Sequence, residues 1–110
     1  MHRIASRSGD KVELIEVRRV THFFAKDKLT FAATSERNYV VDYTIEQLEE
    51  KLDPSLFIRI HRATIINLDY LRELHSGIGG GMIARLKDAN KTELGVARER
   101  ARLLRERLRL

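Results

Sequence analysis

Short runs of alternating apolar and polar residues, each closed by a turn-forming cluster, make up most of this chain. Runs at 4–7 and 12–15 flank Ser8-Gly9-Asp10, a hairpin signal. Runs at 17–24 and 29–34 flank the charged turn Lys26-Asp27-Lys28, and a run at 39–43 follows the polar turn Ser35-Glu36-Arg37-Asn38. Further on, 70–74 and 82–86 flank the flexible loop Ser76-Gly77-Ile78-Gly79-Gly80-Gly81. Asp88-Ala89-Asn90-Lys91 then turns the chain into a last run at 92–96. Strands at this spacing predict a mainly β domain of antiparallel sheets rather than βαβ units.

Two segments follow a helical period instead. Thr44-Ile45-Glu46-Gln47 has the form of a capping box, in which the Thr44 hydroxyl accepts from the Gln47 amide and the Gln47 side chain reaches back. Ile45, Leu48 and Leu52 share one face, and Pro54 stops the helix. Glu46, Glu49, Glu50 and Asp53 make it acidic, so it is expected to plug a sheet and to face away from nucleic acid. The second helix starts near Ala97. Ala97, Ala101, Leu104 and Leu108 form a packing stripe, while Arg98, Arg102, Arg105 and Arg109 form a rail of cations. Glu99 and Glu106 are spaced to pair with Arg102 and Arg109 at i,i+3, and the last turn, lacking a partner, is expected to fray.

Composition changes this picture in one respect. The 110 residues make a single domain, 1–110, with a net charge of +5. Residues 1–84 hold 12 Lys+Arg and 12 Asp+Glu, whereas 85–110 hold 9 and 4. A basic surface gathered toward one end favours a polyanion, although a solvated arginine-rich helix would give the same count. The chain has no cysteine, so no disulfide framework and no thiolate metal site. No apolar run approaches the ~20 residues of a membrane span, and the start has no signal-peptide pattern. The expectation is a cytoplasmic protein. Met1-His2 reads as an expression remnant, with natural sequence continuing upstream.

Catalysis finds little support. The glycines at 77–81 are not followed by G-K-[ST], so a hairpin turn explains them better than a phosphate loop. His2, His22, His61 and His75 lack metal-ligand spacing, and Glu49 and Glu50 point about 100° apart on a helix. No enzyme activity, metal or cofactor is expected.

The most informative stretch is Phe57-Ile58-Arg59-Ile60-His61-Arg62-Ala63-Thr64-Ile65-Ile66-Asn67-Leu68. Its first part alternates as a half-buried strand does, and residues 64–68 are β-branched-rich. A cationic corner, His61-Arg62-Ala63, is thus pinned between two strands. Forked arginine donors held this way suit phosphate or base edges, though an edge strand with solvated charges would look similar. Asn67, before Leu68-Asp69, is expected to stabilise a turn, and Arg59 either braces the corner or touches phosphate.

This stretch resembles the LytTR-type DNA-binding domain, found as the output module of bacterial response regulators. Its phrase F-x-R-x-H-R-S-x-x-V-N is matched by Phe57, Arg59, His61, Arg62 and Asn67, with Ala63 in place of Ser and Ile66 in place of Val. Residues 20–25, the helix at 43–49 and Leu94-Gly95-Val96-Ala97-Arg98 are similar to further family blocks, with Ala97 replacing the Ser of V-S-R. The resemblance implies elongated antiparallel sheets with a short capped helix and a C-terminal helix. It also implies sequence-specific binding of double-stranded DNA by loops in the major groove. Lys28, Arg62 and Arg98 would then read bases, and Lys26, Arg59, His61, Arg102 and Arg105 would meet the DNA backbone. It further implies paired direct repeats bound by two protomers, a homodimer on DNA, and an upstream receiver or sensor domain. The alternatives are a β-rich protein-interaction module without DNA contact, or an RNA-binding sheet domain. The latter lacks the exposed aromatic pairs of an RNP-like strand.

Overall fold

Turn geometry sets the hairpins. Gly9 takes a φ of 61° and reverses the chain between β1 (Arg3–Ser8) and β2 (Lys11–Glu16), a two-stranded sheet with Ser8 opposite Lys11. Asp27 and Lys28, with φ of 53° and 66°, form a two-residue turn between β3 (His22–Lys26) and β4 (Leu29–Ala33), with Lys26 opposite Leu29. Positive φ at both central residues is the type I′ pattern, whose twist matches the strands it joins. The turn is therefore tighter than the three-residue version expected, and Lys26 ends the strand.

The computed structural model describes residues 1–110 as ten strands and two α-helices in an envelope of 45 × 28 × 26 Å. The remaining elements are β5 (Asn38–Val41), α1 (Ile45–Lys51), β6 (Phe57–His61), β7 (Thr64–Asn67), β8 (Leu71–Ser76), β9 (Met82–Leu86), β10 (Glu93–Val96) and α2 (Arg98–Leu108). A five-stranded sheet in the order β5-β4-β3-β7-β6 lies at the centre, and a three-stranded sheet, β10-β9-β8, completes the set. Every pairing is antiparallel. No helix is long and apolar enough to cross a membrane.

The central sheet carries a core on each face, the second one only beneath its β7 and β6 strands. Phe23, Phe57 and Ile65 join Ile4, Ile15, Val41, Ile45 and Leu48 in one core beneath α1 and the β1–β2 hairpin. Ile60 and Ile66 point the other way, into a second core with Met82, Ala84, Val96, Ala101 and Leu104. β6 is consequently not the half-buried strand that its alternation suggests. α1 covers the face of Phe57, and α2 with β9 and β10 covers that of Ile60. The run at 17–24 is not one strand either. Val17–Arg19 forms a 3-10 turn, held because the buried Asn67 amide donates to the carbonyls of Arg18 (3.2 Å) and Val20 (2.9 Å). Asn67 also accepts from the Asp69 amide at 2.9 Å, so its role is the turn-bracing one expected.

Candidate nucleic-acid interface

Strand register carries the cationic loops to one end of the domain. Phe24 pairs with Thr64, and the Ala25 amide donates to the Ala63 carbonyl at 2.9 Å, so the β3–β4 turn and the His61-Arg62-Ala63 corner are neighbours. The Ala97 amide donates to the Ile60 carbonyl at 2.8 Å, which sets the start of α2 beside the same corner. Met82 is opposite both Ser76 and Val96, so the 77–81 loop emerges there too. Lys26, Lys28, Arg62 and Arg98 are exposed on these loops, and none has a carboxylate partner. Elsewhere many arginines are engaged: Arg19 with Glu36, Arg37 with Glu13, and Arg85 with Glu73 and Glu93.

The corner is braced from behind by Arg59, whose side chain is only 10% exposed. Its guanidinium donates to Glu46 (3.0 Å) and Glu49 (3.1 Å) of α1 and to the carbonyls of His61 (3.2 Å) and Arg62 (2.5 Å). Glu49 accepts from Arg100 of α2 at 3.1 Å as well, so one carboxylate links both helices to the edge strand β6. The bond from Arg59 helps hold the Glu46 carboxyl below its ordinary value, after the larger effect of a backbone hydrogen bond. α1 thus reaches the corner through Glu46 and Glu49. His61, half-buried, accepts from the Ala63 amide through Nδ1 at 3.2 Å, which turns Nε2 away from that bond.

A profile of the LytTr DNA-binding domain matches residues 10–109. The chain belongs to the LytTr DNA-binding domain family. It is 30% identical over 113 residues to the transcriptional regulatory protein YpdB of Escherichia coli, with 96% of this chain and 46% of that protein covered. It is 26% identical over 109 residues to the sensory transduction protein LytT of Bacillus subtilis, covering 99% of this chain and 44% of LytT. A third relative, the heme-containing CO-sensing transcriptional regulator RcoM 2 of Paraburkholderia xenovorans, is 30% identical over 98 residues, covering 89% of this chain and 36% of RcoM 2. The chain therefore spans less than half the length of these relatives. The solved LytTr DNA-binding domain of a putative methyl-accepting/DNA response regulator from Bacillus cereus superposes with a TM-score of 0.89 at 21% identity. That match covers 100% of this chain and 99% of the other, and so shows the same fold.

In this LytTr domain the site residues inferred from sequence fall into three groups. Lys26, Lys28, Arg62, Arg98 and His61 come together at one end of the domain. Arg59 is adjacent but is consumed by bracing. Arg102 and Arg105 lie further along α2, where Arg102 pairs with Glu106 at 3.3 Å. The i,i+3 pairs expected on this helix do not form. Arg109, at φ 60°, leaves the helix as its left-handed cap, taking its side chain off the spacing that Glu106 would need. Ala97, where the family Ser is usual, is the N-cap of α2 and supplies no side-chain acceptor. Sequence reasoning missed the Glu49–Arg100 link and the packing of Arg98 on the glycine loop, described below. Neither leaves a pattern along the chain, because both join segments that only the fold brings together.

Proposed function

We propose that this LytTr domain binds double-stranded DNA sequence-specifically, as the output domain of a bacterial transcriptional regulator in the cytoplasm. The observation that carries the reading is the set of unpaired, exposed cations on tight loops at one end of a doubly cored sheet. A cation without an internal partner loses no ion pair when it meets DNA. Arg62 and Arg98 offer forks suited to guanine O6 and N7, and Lys28 offers a single ammonium for the same edge. Lys26, His61, Arg102 and Arg105 meet phosphates. Arg59 is reassigned from phosphate contact to bracing. In this reading two protomers bind paired direct repeats as a homodimer on DNA. In the same reading the full-length protein carries a receiver or sensor domain beside this one.

Selection of bound duplexes from a random pool tests the reading, followed by titration at several salt concentrations. With about five phosphates neutralised, log affinity should fall against log salt with a slope of roughly −4 to −5. Failure to enrich any duplex, or binding indifferent to salt, would overturn it.

A further inference from the structure

Ile78 stands at the tip of the glycine loop with a relative exposure of 101%, beside the reading cations and away from both cores. Scattered exposed apolar residues are ordinary on protein surfaces. This one differs in how its loop is held. Gly79 and Gly80 take φ of 68° and 84°, which L side chains rarely adopt. A Cβ on Gly80 would lie 2.9 Å from the Arg98 Cδ, and one on Gly81 would lie 2.8 Å from the Val96 carbonyl oxygen. The loop is therefore pressed onto β10 and the stem of Arg98, and glycine is what allows the approach. Ile78, His61, Met82 and Ala97 help line a shallow hollow of about 220 Å³ between this loop and the corner.

We propose that the 77–81 loop is a further DNA-contacting element. In it Gly80 seats the Arg98 side chain, and Ile78 packs against the methyl group of a thymine in the major groove close to the base pair that Arg98 reads. The inference rests on the DNA-binding reading above. It adds a contact of a different chemistry, because the thymine methyl is the one apolar group that base pairs display in the major groove. An aliphatic tip reads that group and ignores the phosphates, so it contributes to sequence preference and leaves the salt dependence alone. Because Ile78 touches neither core, its loss should leave folding intact.

The test uses the selected duplex with each thymine replaced singly by deoxyuridine, which removes one methyl group. Wild type should lose about fourfold in affinity at one thymine, the value of one buried methyl-sized group. Ile78→Ala should lose at least that much on the unmodified duplex and show no further loss at that deoxyuridine. Its salt slope and thermal midpoint should match wild type. Gly80→Ala should lose about tenfold or more, mainly through weakened preference at the base pair that Arg98→Ala also flattens. The inference falls if wild type tolerates every deoxyuridine, or if Ile78→Ala binds all duplexes as wild type does. In that outcome Arg62→Ala, run alongside, still weakens binding and the DNA reading survives. If wild type enriches no duplex at all, both readings fall together.

Discussion

The β3–β4 turn and the β6–β7 corner each carry an unpaired cation to the same end of the domain, but they are held by different means. The turn is local. Asp27 and Lys28 adopt left-handed geometry between paired strands, and no side chain from elsewhere ties Lys28 down. The corner is assembled from a distance. Arg59 joins it to α1, Glu49 joins that pair to α2, and the Ala63 carbonyl is held by β3. A locally specified loop tolerates change in the rest of the fold, whereas the corner depends on residues of both helices that are distant from it in sequence. Lys28 and Arg62, the base readers in the proposed function, should therefore respond differently to the same kind of perturbation.

The largest separation is expected from Arg59→Met, which keeps the aliphatic stem and removes the donors. Two corner carbonyls and two carboxylates lose a partner, so stability should drop by about 1–3 kcal/mol in chemical denaturation. Base preference should weaken at the position read by Arg62 and persist at the position read by Lys28. Equal weakening at both positions would erase the distinction drawn here.

Lys28→Gly perturbs the local loop. It relieves a side chain held at φ 66°, so stability should rise by about 0.5–1 kcal/mol even as the Lys28 contact is lost. A denaturation midpoint that fell instead would mean that the turn, too, leans on tertiary contacts of Lys28.

The cations of α2 and its C-cap set a lower bound for the comparison. Arg105→Ala and Arg109→Ala should each cost less than about 1 kcal/mol, weaken all duplexes alike, and reduce the salt slope by about one unit for each phosphate lost. A base-specific loss at Arg105 would extend the reading surface along the helix.

His22 concerns what both loops share, since β3 pairs with β4 on one side and β7 on the other. Burial pushes the His22 pKa below its ordinary 6.5, opposed weakly by the Asp88 charge. The unfolded chain therefore takes up the proton first as pH falls. Its stabilising effect is complete above about 6.5 and declines as pH drops below that value, until the folded form is protonated as well. Thermal midpoints at pH 7.5 and 5.5 should differ more for wild type than for His22→Phe. Identical differences would remove His22 as the source.

What could be read along the chain follows the same division between local and distant. The capping box formed as its residues dictate, with Thr44 accepting from the Gln47 amide at 3.1 Å and Gln47 accepting from the Thr44 amide at 2.9 Å. Hairpins, the packing stripe of α2 and the cationic corner were likewise legible, because turn chemistry and periodicity act over a few residues. The two-sided burial of β6 was not, since a strand covered on both faces still alternates if one of its positions is an arginine whose own side chain is covered while its partner carboxylates stay at the surface. The bracing role of Arg59 depended on Glu46 and Glu49, 13 and 10 residues away, and on a helix whose orientation only packing decides. The seat of Arg98 on Gly80 was hidden for the same reason.

The central claim is that the unpaired arginines on tight loops read bases while Arg59, paired with α1, holds the corner. Base-resolved binding of wild type, Arg62→Ala and Arg98→Ala tests it most directly, using the selected duplex and each of its single-base mismatches. Each variant should lose about 1–3 kcal/mol on the selected duplex and become indifferent to mismatches at its own base pair, a different one for each arginine. Arg62→Lys should lose discrimination as well, because an ammonium lacks the fork. Losses spread evenly over every duplex would make these residues phosphate anchors and contradict the account.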